Sequence, residues 1–222
     1  MAPEIASHHE TQNGPPLTLG SLLDGIGVFP LAASRHGIVP LWASEIEKAP
    51  ISITRRHFPE MAHLGDITKM DGGQIPAVHI LTFGSPCQNL SQIGDRSGLA
   101  GAKSSLFHHA IRIIKEMRCA TGGQFPIIAL WEVVTPFAFW FEDDPFGGCI
   151  RFPTERETER MMGLPEGWTE YGADGKPISS TQRYRALGNS IALPCADYLM
   201  AGIAEVLGKD KIASHRETQN GR

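Results

Sequence analysis

The amino-acid sequence predicts an α/β fold built as a doubly wound parallel sheet, and three observations carry that reading. Short apolar runs alternate with helix-period segments from residue 17 to residue 134, the pattern of successive strand–helix units. The first run, Leu17–Leu23, passes directly into Asp24-Gly25-Ile26-Gly27, a strand-to-helix turn whose glycines let a ligand approach the backbone. Chemically capable residues recur just past successive strands, at Glu45, Asp66, Cys87 and Glu132, the edge of such sheets where ligands sit.

Taken in order, Leu17–Leu23 reads as the first strand and Phe29 to His36 as the first helix. A second strand, Ile38 to Ala43, leads to Glu45. Such folds place an acid about twenty residues after the glycine turn to accept ribose hydroxyls; a solvated helix-start glutamate is the alternative. A helix from Lys48 to His57 follows, then Leu64-Gly65-Asp66-Ile67-Thr68. Here Asp66 either caps the next turn or faces a ligand from the end of a third strand. The run Val78–Leu81 is a buried strand, which Gly84, Ser85 and Pro86 break, leaving Cys87 on a loop. A thiol there is either a nucleophile, once deprotonated, or a small buried hydrophobe. The glycine-rich stretch Gly94–Gly101 has the composition of a loop that closes over a substrate. Leu106, Phe107, Ala110, Ile111, Ile113, Ile114 and Met117 mark an amphipathic helix with a solvated row of Arg112, Lys115 and Arg118 opposite. A fifth strand, Pro126–Trp131, delivers Glu132.

Composition narrows the class. With 222 residues, 41% hydrophobic and 20% charged, the chain is globular and suits one large domain or one plus a fragment. It has no apolar run of about 18 residues, and Met1-Ala2-Pro3-Glu4 does not resemble a secretory signal. Four well-separated cysteines without a Cys-x-x-Cys pair predict free thiols in a reducing cytoplasm and no metal site. The 24 acidic residues outnumber 20 basic ones, for a net charge of −4. Nucleic-acid affinity rests largely on neutralising phosphates, so contact with DNA requires a local basic patch or another chain. Residues 1–16 and 209–222 read as disordered ends, leaving residues 17–134 as the α/β core, 135–150 as a connector and 151–208 as a C-terminal segment packing back on it. Ala6–Gly14 recurs as Ala213–Gly221 with one difference, for which we have no physical account.

Several stretches together resemble the DNA cytosine-5 methyltransferases, closely the prophage-type members. Pro86-Cys87-Gln88, the Gly94-to-Gly98 loop and Trp131-Glu132-Val133-Val134 are similar to that family's catalytic motifs, and Asp24-Gly25-Ile26-Gly27 to its cofactor loop. Pro153-Thr154-Glu155-Arg156-Glu157 through Gly163–Trp168 resembles its penultimate motif, and Arg183–Ala192 its last. The resemblance implies a Rossmann-like sheet, S-adenosylmethionine as methyl donor and a cytosine flipped out of double-stranded DNA as acceptor. It implies Cys87 and Glu132 as catalytic residues. Asp24, Gly25, Ile26, Gly27, Glu45, Ile46, Asp66, Ile67, Gly84, Pro86, Asn189 and Ser190 would line the cofactor site, and Ser85, Gln88 and Arg96 would meet the substrate. The last motif would supply a final helix from Ile191 to Val206.

Two departures stand out. The family's usual Asn after the catalytic Glu is Val133 here, and only 18 residues separate Glu132 from Arg151, where the family carries further motifs and a target recognition domain. The sheet is therefore expected to be truncated in its second half. Either the chain is a methyltransferase trimmed or completed by a partner that supplies DNA recognition, or it is an inactive remnant that binds cofactor. Eighteen residues span roughly 60 Å when extended, at about 3.3–3.6 Å each. They cannot form a domain, which needs about 40 residues or more. The chain alone is expected to show no site-selective DNA binding; a tight, sequence-specific complex in gel-shift assays at physiological salt would contradict this.

Overall fold

The computed structural model describes residues 15–84, 105–132 and 153–220, with the side chains of Ser105 and residues 209–220 left aside. Five strands form one sheet: β1 (Thr18–Leu22), β2 (Val39–Ser44), β3 (Ala62–His63), β4 (Ile80–Gly84) and β5 (Ile128–Glu132). Their order is β3-β2-β1-β4-β5 and every pairing is parallel. The chain runs outward from β1 to β3, then crosses back to β4. That reversal opens a crevice at the carboxyl ends of β1 and β4, and the expected doubly wound architecture is the one observed.

The period of two in the strands assigns the two faces. Leu17, Leu19 and Ile80 pack into a layer with α1 (Val28–Arg35), α5 (Ser180–Gly188) and α6 (Leu193–Asn220). Leu22, Trp42, Leu81 and Phe83 face the opposite layer, under Ala110, Ile113 and Met117 of α3 (Ser105–Ala120). Gly20 is fixed by this packing, because a Cβ there would lie 2.3 Å from the Trp42 ring. The tryptophan lies across β1, and its indole N–H donates to the Pro76 carbonyl at 2.9 Å.

α2 occupies Lys48–His57 as expected. Of the two alternatives for Asp66 the cap is the one observed: β3 is two residues long, and Asp66 beyond it caps a 3-10 turn over Ile67–Lys69 by accepting from the Thr68 N–H. Two expectations need correction. The row on α3 is not merely solvated: Arg112 donates to the carbonyls of Ile67 and Met70 and pairs with Glu116, and Arg118 donates to Pro126. Its stem covers apolar surface while its guanidinium satisfies turn carbonyls, which a helical wheel does not reveal. The final helix starts at Leu193 and runs to Asn220, beyond Val206 and through most of the segment expected to be disordered. No proline interrupts it after Pro194, and Lys209-Asp210-Lys211 are compatible with a helix.

The C-terminal segment is organised by one buried ion pair. α4 (Glu155–Met161) begins at a capping box in which Thr154 and Glu157 satisfy each other's backbone N–H. On its inner face, fully buried Glu159 accepts from the N–H groups of Gly167 and Thr169, the Thr169 hydroxyl and the Arg183 guanidinium of α5. Burial pushes this carboxyl up, but the Thr169, Gly167 and Arg183 hydrogen bonds outweigh it and hold the group below its ordinary range. Removing one partner leaves a buried charge uncompensated. Arg183→Ala should therefore lower stability by about 3–5 kcal/mol, read from urea denaturation at neutral pH; a loss within error of zero would contradict the assignment.

Candidate functional site

The site begins at the end of β1. Backbone geometry explains both glycines of the turn, with φ of +61° at Gly25 and +77° at Gly27, a region costly for other residues. Their surroundings differ. A Cβ on Gly27 would crowd Thr54 and Phe58 of the α2 region at 3.0 and 3.2 Å, whereas one on Gly25 would meet nothing within 4 Å. Gly27 lets α1 approach α2; Gly25 borders open space.

Glu45 holds this turn from the loop after β2. One carboxylate oxygen accepts from the Gly25 N–H at 3.0 Å, the other from the N–H groups of Ile46 and Glu47 at 2.7 and 3.0 Å. The first oxygen keeps lone-pair capacity for another donor. Asp24, beside it, has both carboxylate oxygens enclosed without a partner of ordinary hydrogen-bond geometry. Burial pushes its pKa up to about 7, the Ser21 hydroxyl works against this and the Glu45 charge adds to it. The exposed Ile46 side chain follows Glu45.

A second acid stands across the switch point. Glu132 ends β5 in register with Gly84 at the end of β4, and a Cβ on Gly84 would come within 3.0 Å of its Oε2. Burial alone raises the Glu132 pKa to about 7. Ser85, Pro86, Cys87, Gln88 and Arg96, together with Val133 and the segment to Phe141, lie outside the described residues. The chain leaves Gly84 toward Cys87 directly beside the Glu132 carboxyl.

Other expected residues fall on the frame. Ile26 is fully buried and presents its backbone carbonyl, while Ile67 is buried beneath α3. Asp66 is exposed, and the Thr68 N–H and hydroxyl hold its carboxyl below the ordinary range. Asn189 caps α5 and Ser190 follows it, just past Leu187, which packs in the same core as Ile26. Among the described residues no group of three or more His, Cys, Asp or Glu gathers as a metal site.

The contacts that tie the C-terminal motifs to the cofactor turn escaped the sequence reading. The Trp168 indole N–H donates to the Ile26 carbonyl at 2.9 Å. Its ring stacks on His57 at 3.6 Å, and His57 Nε2–H donates to the Trp168 carbonyl at 2.8 Å. Arg185 of α5 pairs with Glu47 at 2.9 Å, two residues beyond Glu45. Trp168 sits inside a recognised motif, so its position carried a signal; nothing marked His57 as its partner.

The two raised acids set a pH dependence. In the unfolded chain they ionise near their ordinary values of 3.8 and 4.5, while the folded chain keeps both protons up to about pH 7. Between about pH 4 and 7 the folded state holds more protons, so stability falls as pH rises through that window and levels off above it. Asp24→Asn should flatten this decline, seen as a smaller difference between urea midpoints at pH 5 and pH 8 than in the wild type. An unchanged difference would show that Asp24 does not carry it.

Residues 17–122 match the family model described as C-5 cytosine-specific DNA methylase. A DNA N-6-adenine-methyltransferase of Escherichia phage P1 is 31% identical over 137 residues, covering 59% of this chain and 18% of that protein. The Type II methyltransferase M1.ScrFI of Lactococcus lactis subsp. cremoris is 37% identical over 117 residues, covering 52% of this chain and 30% of that protein. The chain thus spans less than a third of the length of these two curated relatives. The Entamoeba histolytica methyltransferase EhMeth superposes with a TM-score of 0.60 at 10% identity over 87% of this chain and 99% of its own, a likeness of fold. The likeness to the C-5 cytosine-specific DNA methylase model thus runs over residues 17–122, just under half of the chain.

Proposed function

We propose that the chain is the catalytic part of an S-adenosylmethionine-dependent enzyme that methylates C5 of cytosine in double-stranded DNA. The observation that carries this is the placement of Glu132: a carboxyl with a pKa raised to about 7, lying against Gly84, from which the chain enters Pro86-Cys87-Gln88. C5 of cytosine is a poor nucleophile. Cys87 as thiolate adds to C6, forming a bond that pushes electron density onto C5. Glu132, half protonated at neutral pH, gives a proton or hydrogen bond to N3 and stabilises the electron-rich ring. After C5 gains the methyl group, loss of its proton and elimination of the Cys87 sulfur restore the aromatic base and the free enzyme. By the same resemblance Ser85, Gln88 and Arg96 are assigned to the substrate, whose target base must leave the duplex.

The donor fits the residues present. S-adenosylmethionine, when bound, supplies an electrophilic methyl group. Gly25 borders open space, and Glu45 retains an acceptor for a ribose hydroxyl. Asp66, Ile67, Gly84, Pro86, Asn189 and Ser190 complete the proposed cofactor rim. The phage P1 relative is named for adenine, but the match covers 18% of it. An exocyclic amine needs no covalent activation, which Cys87 and Glu132 are suited to provide. The second reading, a subunit that needs a partner for DNA recognition, is favoured by the 18 residues between Glu132 and Arg151.

Two measurements test this reading. Glu45→Ala should weaken donor binding by about 1–3 kcal/mol, the scale of one charge-assisted hydrogen bond, in calorimetric titration of the folded chain; wild type that binds no donor would sink the cofactor assignment. Duplex DNA carrying 5-fluorocytosine should form a covalent adduct with the wild type, because fluorine blocks the last elimination. Cys87→Ser should abolish it. An adduct that survives in the serine variant, or methyl label recovered on adenine, would overturn the assigned chemistry.

A further inference from the structure

β5 ends the sheet, and its sequence is self-complementary about its centre. Among the described residues no strand pairs with its outer side. Ile128-Ala129-Leu130-Trp131-Glu132 carries neither lysine nor proline, and its register with β4 has no bulge, so the devices that blunt natural edges are missing. Side chains alternate across the strand. Trp131 lies against Phe107 of α3, and Ala129 shares that face. Leu130 packs toward the layer of α1 and α6, and Ile128 borders α6. Set antiparallel to a copy of itself and centred on Leu130, the strand places small Ala129 opposite large Trp131 and Ile128 opposite Glu132. The flank of α6 beside this edge is apolar as well. Tyr198, Leu199 and Val206 are exposed there, and Glu205 is the one charged residue along the groove they form with Ile128.

We propose that this face binds a second copy of the chain, β5 against β5 in antiparallel pairing, so that the five-stranded sheet continues into its copy across a two-fold axis. One operation covers both apolar surfaces. Antiparallel neighbours are related by a two-fold perpendicular to the sheet, which keeps the same face up in both copies. The α6 flanks therefore face each other over the joined strands. A single strand added from elsewhere covers the edge but brings no helix to that flank. No like charges meet along the strand, since Glu132 faces Ile128 of the second copy. The exposed side chains amount to several hundred Å² per copy, approaching the roughly 800 Å² that each side of a standard interface buries. Ile128 of the second copy then stands beside Glu132 on the side that β4 does not hold, so each copy supplies a residue to the other's crevice. The pairing depends on the edge alone, whatever donor or base the crevice takes.

Sedimentation velocity of the full chain should show a species of twice the 24.2 kDa chain mass at micromolar concentration. Ala129→Arg fills the space that Trp131 of the second copy needs, and Val206→Glu places a charge in the groove. Both positions are exposed in the single chain, so the variants should keep the wild-type circular dichroism. Each should weaken dimerisation roughly tenfold or more, because the new charge is buried without a partner. Cysteine cross-linking with diamide reads the register directly. Leu130→Cys should link to itself, since directly opposed residues have Cα atoms about 4.5–5.5 Å apart. Ile127→Cys should not, since its two copies lie about 20 Å apart along the strands, beyond the ~7 Å a disulfide can bridge. Peptide mass spectrometry separates these links from those of the native cysteines. A dimer that survives both substitutions, or that links through Ile127→Cys rather than Leu130→Cys, would place the interface elsewhere and overturn the proposal. So would a monomer at every concentration, which would leave the edge to Phe137–Phe141 of the same chain or to a different protein.

Discussion

The hydrogen bond from the Trp168 indole to the Ile26 carbonyl joins parts of the chain 142 residues apart. Ile26 lies between two left-handed glycines, so its carbonyl direction is set by the turn that opens the crevice. Trp168 is held in turn by the stack on His57 and by the segment that Glu159 and Arg183 pin together. The buried ion pair in the C-terminal segment is therefore mechanically upstream of the cofactor turn. A buried pair adds little net stability over an apolar pair of equal size. Its contribution here is geometric, because the fixed Glu159 orders the Gly167–Thr169 backbone that carries Trp168.

Opposing demands meet at the carboxyl ends of the strands. Parallel strands end with chain turns that expose N–H groups, and acids there find donors readily, as Glu45 does. Asp24 and Glu132 occupy the same edge, but burial outweighs the Ser21 hydroxyl at Asp24 and acts alone at Glu132, raising both pKa values to about 7. Leaving a buried polar group without a partner costs stability, and such groups cluster where a site is built for something absent from the chain itself.

Strand and helix positions were readable because each depends on a local period: Lys48–His57 and the α3 face follow directly from spacing. The parallel, doubly wound sheet followed from the alternation of strand and helix units, whereas the order of its strands was not read from the sequence. What was not readable depends on partners remote in sequence. Arg112 looks like a solvated cation until Ile67 and Met70 place their carbonyls beneath it. His57 reads as the basic end of α2 until Trp168 lies over it. The long reach of α6 escaped for the opposite reason, since a polar segment with no breaker fits a helix and a disordered tail equally well. At the site, the identity of Glu45 and Glu132 was legible and the burial of the Asp24 carboxyl was not, because burial of a turn residue depends on packing remote in sequence.

The edge at β5 shows how far this sheet closes by itself. β1, β4 and the carboxyl half of β2 are largely buried, while along and beside β5 Ile127 is 51% and Trp131 41% exposed. α6 covers the adjoining face only in part: a groove of about 500 Å³ separates Ile128 from Leu199, Ile203 and Val206, and Tyr198 stands 80% exposed. Edge strands carry unpaired backbone groups that other chains can pair with, and an apolar face beside such an edge adds area to any partner that does so. The hydrogen bonds that fix Glu45 over the Gly25 turn come from the loops after β1 and β2, so the geometry of Glu45 does not depend on that edge. Glu132 is different, since it sits on β5 itself. Its position over Gly84 is held from one side by β4, and among the described residues no strand pairs with the other side of β5. Whatever covers that edge will therefore act on Glu132 before it acts on the turn at Gly25.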